Sequence, residues 1–193
     1  GSPGAAAGTS SGVGAAAASS SASSSNRPTD VTPWRVSSSF VPVMVAMDFI
    51  LKNGYTVDEV DALTGPLIGR PKTATFRLID LVGLDVWDHV GRNLAPLIPH
   101  DKLGQEYLRA EAPAKLISAM LERKWLGNKT KIGFYKEVRG EEGKKEFWSL
   151  DLTTLEHVPP TKPRFDSVKK AKDLESLGER LKDLLEADDK AAN

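Results

Sequence analysis

Gly54-Tyr55-Thr56-Val57-Asp58-Glu59-Val60-Asp61 opens a stretch that runs on through Gly65-Pro66-Leu67-Ile68-Gly69-Arg70-Pro71-Lys72-Thr73-Ala74-Thr75-Phe76-Arg77 to Asp80-Leu81-Val82-Gly83-Leu84-Asp85. Its punctuation is that of short helices parted by tight turns. Thr56 and Glu59 stand three apart as a capping box, with a hydroxyl for the third amide and a carboxylate reaching back, so a helix is predicted from Val57 toward Leu63. Gly65-Pro66 stops it. Thr75 to Val82 reads as a further short helix closed by Gly83, and Asp85 as the cap of another. That one carries Val86, Trp87, Val90, Leu94 and Leu97 before Pro99 ends it. Upstream, Phe40, Met44, Met47 and Leu51 recur at helical spacing, flanked by Val41, Val45, Phe49 and Ile50. They predict a well-buried helix over 40–52, ended by Asn53-Gly54.

Downstream, Pro113 suits the first position of a helix whose buried stripe is Leu116, Ile117, Met120 and Leu121. Glu111 and Lys115 form an i,i+4 pair on its wet side. Gly133 to Val138 and Phe147 to Leu150, joined by a charged, Gly-containing turn, read as a two-stranded hairpin. Pro159, Pro160 and Pro163 make an extended connector. Ser167 is read as the cap of a final helix with Val168, Ala171, Leu174, Leu177, Leu181, Leu184 and Leu185 on one face and charges on the other. So two-sided a helix needs a cover, and the few residues after it predict a cut end. The fold class is therefore mainly α: a helical bundle with a small β-hairpin and a C-terminal amphipathic helix.

Composition narrows the chemistry. Of 193 residues, 26 are basic and 26 acidic, and none is cysteine. Disulfides, a thiolate nucleophile and a cysteine zinc site are excluded, and charge balance argues against a nucleic acid or an anionic membrane held by bulk field. The longest apolar run, Phe40 to Leu51, is interrupted by Asp48 and falls short of the ~20 residues of a membrane span. No secretory signal is present, which points to the cytoplasm. Residues 1–25 hold nine Ser, eight Ala, five Gly and no charge. Residues 1–39 are read as a disordered linker of vector-like composition, 40–138 as the helical domain, 139–166 as hairpin and connector, and 167–193 as the start of a second, truncated helical repeat. Gly12-Val13-Gly14 is not a dinucleotide loop, since no strand precedes it and no acidic residue follows at the required spacing.

His89, His100 and His157 lack second ligands at metal spacing, so no metal is assigned. Asp80, Asp85 and Asp88 could suggest acid–base work, but Asp85 and Asp88 open a helix, where its dipole favours negative charge. Lys124, Lys129, Lys131 and Lys136 interleave with Trp125, Phe134 and Tyr135 in the manner of a single-strand nucleic-acid platform. Against it stand the neutral charge and the tendency of aromatics at a hairpin base to fill the core. No P-loop, HExxH or Ser-His-Asp elbow occurs, and no catalytic residue is assigned.

The blocks quoted above, followed in order by Trp125-Leu126-Gly127-Asn128-Lys129-Thr130 and Gly133-Phe134-Tyr135, resemble the C-terminal helical domain of L-3-hydroxyacyl-CoA dehydrogenases, in the long form found in multifunctional fatty-acid β-oxidation enzymes. The similarity covers residues 40–190; Leu150 to Glu156 and Lys162 to Phe165 resemble that form's connector into a second helical repeat. The resemblance implies a parent enzyme that oxidises a 3-hydroxyacyl-CoA with NAD as hydride acceptor. Its histidine base, orienting glutamate and NAD loop belong to a Rossmann domain expected to be missing here. This chain is then expected to hold no cofactor, to be silent alone, to share an acyl-CoA cleft with that domain, and to offer a surface for homodimerisation or internal packing. Lys72, Thr73 and Thr75 are the substrate-binding candidates the resemblance implies. One departure stands out: the family opens its first helix with an Asn-Arg pair near the substrate, and counting back from Gly54 reaches Ser37-Ser38 instead. Asn26-Arg27 lies further upstream, ahead of Pro28, and is given no catalytic role. The alternative reading is a free-standing helical module whose first and last helices dock a protein partner.

Overall fold

The chain divides into residues 1–30 and 31–193, and the computed structural model describes Gly1, residues 46–140 and residues 143–192. All helices and strands named here belong to the larger unit. Except for exposed Gly1, the linker expected over 1–39 lies outside the described residues, as do Asn26, Ser37-Ser38 and the first part of the helix expected over 40–52.

Helix α1 occupies 46–53 and ends at Gly54, whose φ of +63° is the left-handed conformation a helix stop requires. Helix α2, Val57–Leu63, begins at the expected capping box: Thr56 Oγ1 accepts from the Glu59 amide and Glu59 Oε2 accepts from the Thr56 amide at 2.9 Å. A 3-10 turn, Pro66–Ile68, and an irregular loop lead to α3, Phe76–Val82. Helix α4, Leu84–Leu94, follows with Gly83 alone between them. Asp85 is not its cap. Gly83, at φ +101°, turns the chain directly into Leu84, so Asp85 falls inside the first turn and pairs with Lys129. A second 3-10 turn, Ala95–Leu97, precedes α5, Lys102–Leu108, a helix that hydrophobic spacing does not announce. The Asp101 carboxylate accepts from the Gly104 amide at 2.8 Å and starts it.

Helix α6, Glu111–Glu122, begins two residues before Pro113. Proline is tolerated at the third position because the first turn's amides have no partner within the helix. After a 3-10 turn at Asn128–Thr130, strands β1, Tyr135–Arg139, and β2, Lys145–Leu150, pair antiparallel with Lys136 opposite Trp148. A short third strand, β3, His157–Val158, joins β2 and enlarges the expected hairpin to a three-stranded sheet. The expected single terminal helix is two: α7, Asp166–Lys172, and α8, Leu177–Leu185, which folds back on it. Ser167 does not cap α7. Its amide and hydroxyl both donate to Asp189.

Met47, Val57, Phe76, Leu84, Met120 and Phe134 form the centre of the core, with the rings of Phe76 and Phe134 4.5 Å apart. A smaller apolar cluster joins Leu67 to Val168, Ala171 and Leu184. The terminal helix pair is thus seated on the turn that follows α2.

Candidate functional site

The loop from Thr64 to Arg77 is braced from within. The Gly65 carbonyl accepts from the amides of Ile68 and Arg70, and the Pro71 carbonyl from Ala74. Arg70 reaches back over the loop, donating to Thr75 Oγ1 and to the Ala74 carbonyl, each at 3.2 Å. Thr75 Oγ1 lies 2.8 Å from Thr64 Oγ1. Ala74 is held at φ +49°, a conformation that only glycine adopts without cost, so this segment keeps one shape against local strain.

What fixes the far end of the loop is Asp61. Its Oδ1 accepts from the Thr75 and Phe76 amides at 3.0 and 2.7 Å, and its Oδ2 from the Arg77 amide at 3.0 Å and the Tyr135 hydroxyl at 2.9 Å. One carboxylate therefore closes the N-terminus of α3 and ties it to β1. Burial pushes the Asp61 carboxyl above its ordinary value, against the pull of its four donors. Burial beside Asp61 pushes the Tyr135 phenol up, so it stays protonated and serves as donor. Arg77 stacks over Phe147, 4.1 Å from the ring centroid, and over Tyr135 at 5.3 Å.

Asp80, one turn further along α3 and 1% exposed, performs the same service for the next segment: Oδ1 accepts from the Phe134 amide at 2.9 Å and Oδ2 from Tyr135 at 2.7 Å. Desolvation raises its pKa to about 6, beyond what the two amides and Arg77 offset. Gly127 and Gly133 make this approach possible. A Cβ on Gly127 would lie 2.6 Å from the Asp80 Cα, and one on Gly133 would strike the carboxylate.

The three sequence candidates are placed differently. Lys72 is exposed on the crest of the loop beside Pro71, and Thr73 is half-buried next to it. Thr75 is 6% exposed and commits its hydroxyl to Thr64 and Arg70. A nucleotide pyrophosphate commonly docks at an open helix N-terminus. Here the starts of α2 and α3 each carry a carboxylate, Glu59 and Asp61, so the loop's surroundings do not fit a dinucleotide. His89 and His100 are exposed. His157 donates from Nε2 to the Gly133 carbonyl at 2.9 Å and meets Trp125 edge-on; burial lowers its pKa. Among the described residues no three His, Asp or Glu side chains gather as a metal site, and no helix is long and apolar enough to cross a membrane. Of the aromatics interleaved with lysines, Phe134 is fully buried and Tyr135 turns its hydroxyl inward.

Asp61, Tyr135 and Arg70 were not among the candidates. A signal existed for the first. A carboxylate near the C-terminal end of a helix opposes the dipole, so an Asp there needs another partner. Asp80 likewise sits on the apolar stripe of Phe76 and Ile79.

Comparison with known proteins fits this architecture. The family model described as 3-hydroxyacyl-CoA dehydrogenase, C-terminal domain, matches residues 36–137. A probable 3-hydroxyacyl-CoA dehydrogenase of Bacillus subtilis is 40% identical over 149 residues, 77% of this chain and 18% of that protein. One of the same description from Deinococcus radiodurans is 35% identical over 54% of this chain and 28% of its own length. A fatty acid oxidation complex subunit alpha of Acinetobacter baumannii is 31% identical over 68% of this chain and 17% of its own. The chain thus spans less than a third of each of these relatives. No solved structure matches it. With the family model covering more than half of its residues, the chain belongs to the 3-hydroxyacyl-CoA dehydrogenase family and carries that family's C-terminal domain.

Proposed function

We propose that this chain serves an NAD-dependent L-3-hydroxyacyl-CoA dehydrogenase of fatty-acid β-oxidation, forming one wall of its acyl-CoA cleft and a surface for assembly, and that it is catalytically silent alone. Hydride transfer needs nicotinamide, carbinol carbon and a general base held in near-contact geometry. NAD supplies the hydride acceptor, and in this reading it and the base sit on a separate Rossmann domain, which leaves the present chain the tasks of binding and orienting. The braced loop is the observation that carries this reading. It carries exposed Lys72 and half-buried Thr73 on a segment braced by its own hydrogen bonds, and a pre-shaped edge binds with a smaller ordering cost at the moment of association. An exposed ammonium meeting a CoA phosphate at ~4 Å gains about 1 kcal/mol in water and more as the cleft closes and water leaves.

The test mixes the purified chain with a separately produced NAD-binding portion of the Bacillus subtilis relative, supplies 3-hydroxybutyryl-CoA and NAD, and follows NADH. Turnover by the mixture and by neither part alone is the expected result. Turnover by the chain alone overturns the silent reading, and failure of the chain to bind acetoacetyl-CoA overturns the cleft. A second reading, a helical module that docks a protein partner through its first and last helices, draws on exposed Phe49 in α1 and exposed Leu177, Leu181 and Leu185 in α8. It predicts tight capture of a protein partner with no response to any acyl-CoA.

A further inference from the structure

We propose that Asp61 and Tyr135 are positioning residues, which fix the one conformation in which the loop 65–74 presents Lys72 and Thr73 to an acyl-CoA; this rests on the cleft reading above. The chain of contacts is continuous. Tyr135 lies at the start of β1, where its amide is held by Asp80, so its hydroxyl is delivered from a fixed place. It donates to Asp61 Oδ2 and orients that carboxylate. Asp61 then gathers three successive amides, of Thr75, Phe76 and Arg77, and so sets where the loop rejoins α3. Immediately before those amides stands Ala74 at φ +49°, buried and bridged by Arg70. A residue in that region persists only where its surroundings over-determine it, and the Asp61 clamp is the surrounding that does so. The Asp61 carboxylate is taken up by the amides of Thr75, Phe76 and Arg77 and by the Tyr135 hydroxyl. Their influence on a bound acyl-CoA is therefore through loop shape, not contact.

This has a measurable form. When the binding-competent conformation is only partly populated, apparent affinity falls by that fraction. Removing the Tyr135 hydroxyl takes away one hydrogen bond to a charged acceptor, enough to lower affinity about tenfold, while the ring keeps its place against the core.

The experiment titrates acetoacetyl-CoA into the full chain by calorimetry for wild type, Tyr135→Phe, Asp61→Asn and Lys72→Ala, well below each variant's unfolding midpoint, and measures amide hydrogen exchange in parallel. Expected are weaker binding by Lys72→Ala, about tenfold weaker binding by Tyr135→Phe, and faster exchange at Thr75, Phe76 and Arg77 with Phe134 still protected. A merely structural role would lower the midpoint and leave the affinity of the folded protein unmoved. Tyr135→Phe binding like wild type while Lys72→Ala binds weakly overturns this inference and leaves the cleft reading standing. Wild type failing to bind, or Lys72→Ala binding normally, overturns both. Should Asp61→Asn not fold, Tyr135→Phe alone decides.

Discussion

Acidification should strengthen this fold before it weakens it, because Asp80 is buried with a carboxyl pKa near 6 instead of 3.8. Between those values the folded chain holds a proton that the unfolded chain has released, so stability increases as pH falls from 7 to 4 and is lost as pH climbs through about 6. A tenfold change in proton affinity is worth about 1.4 kcal/mol, and roughly two decades separate the states, so the contribution is about 3 kcal/mol. Other groups oppose it. His157, its pKa lowered by burial, stabilises above pH 6.5 and withdraws that contribution as pH falls through its folded value. Asp151 and Asp189, lowered by amides that donate to them, stabilise above 3.8 and lose that contribution below it. The Asp80 contribution is isolated by comparison with Asp80→Asn, which cannot titrate. Urea unfolding of both proteins at steps from pH 7 to 4 should show wild type gaining about 2 kcal/mol on the variant, most of the full contribution. A difference constant to within about 0.5 kcal/mol, the usual scatter of such comparisons, refutes the reasoning. If the variant does not fold, a carbon NMR titration of the wild-type Asp80 carboxyl decides the same point, with a midpoint near 3.8 as the refuting result.

Gly127→Ala places a Cβ 2.6 Å from the Asp80 Cα at a backbone φ of +97°; overpacking and strain together should cost about 3 kcal/mol or more, read as loss of folded protein in circular dichroism. Phe134→Ala empties the centre of the core, where Phe76 stacks 4.5 Å away, and should lower unfolding free energy by about 3–5 kcal/mol in urea. Thr56→Ala removes the hydroxyl that accepts from the Glu59 amide and should cost about 1 kcal/mol by the same measurement, with the fold intact.

The parts of this structure that sequence announces are those written in local chemistry. The capping box at Thr56 and Glu59, the stops at Gly54 and Gly83 and the antiparallel hairpin of β1 and β2 all depend on residues close together or on simple alternation. The split of the last helix was legible too, in Asp173 and Ser176, both poor helix residues. Leu174 kept the apolar stripe in register across the break and concealed it. Asp61 and Asp80 are harder. Their partners lie up to 74 and 55 residues away, and no periodicity encodes which amide a carboxylate will find. Lys72 was nominated by resemblance alone, and its exposure on a braced crest is a property of the loop's internal hydrogen bonds.

Those hydrogen bonds trace back to α2. Seven residues of helix are far too few to persist unaided, so α2 exists through what its side chains hold. Asp58 accepts from the Ser149 hydroxyl and from the amide and hydroxyl of Thr161. Glu59 pairs with Lys190 at 2.8 Å, whose carbonyl accepts from the Tyr55 hydroxyl. Asp61 takes α3 and Tyr135. Three carboxylates in four positions thus point to the sheet and connector, the C-terminal pair and the loop. Two of those tethers reach residues beyond the family match at 36–137, and the pair α7–α8 covers Leu67 in the turn that leads into the loop. The extension therefore bears on the helix from which Asp61 reaches the loop: Thr161 and Lys190 hold Asp58 and Glu59 in the same short helix, while the loop itself is braced by its own hydrogen bonds.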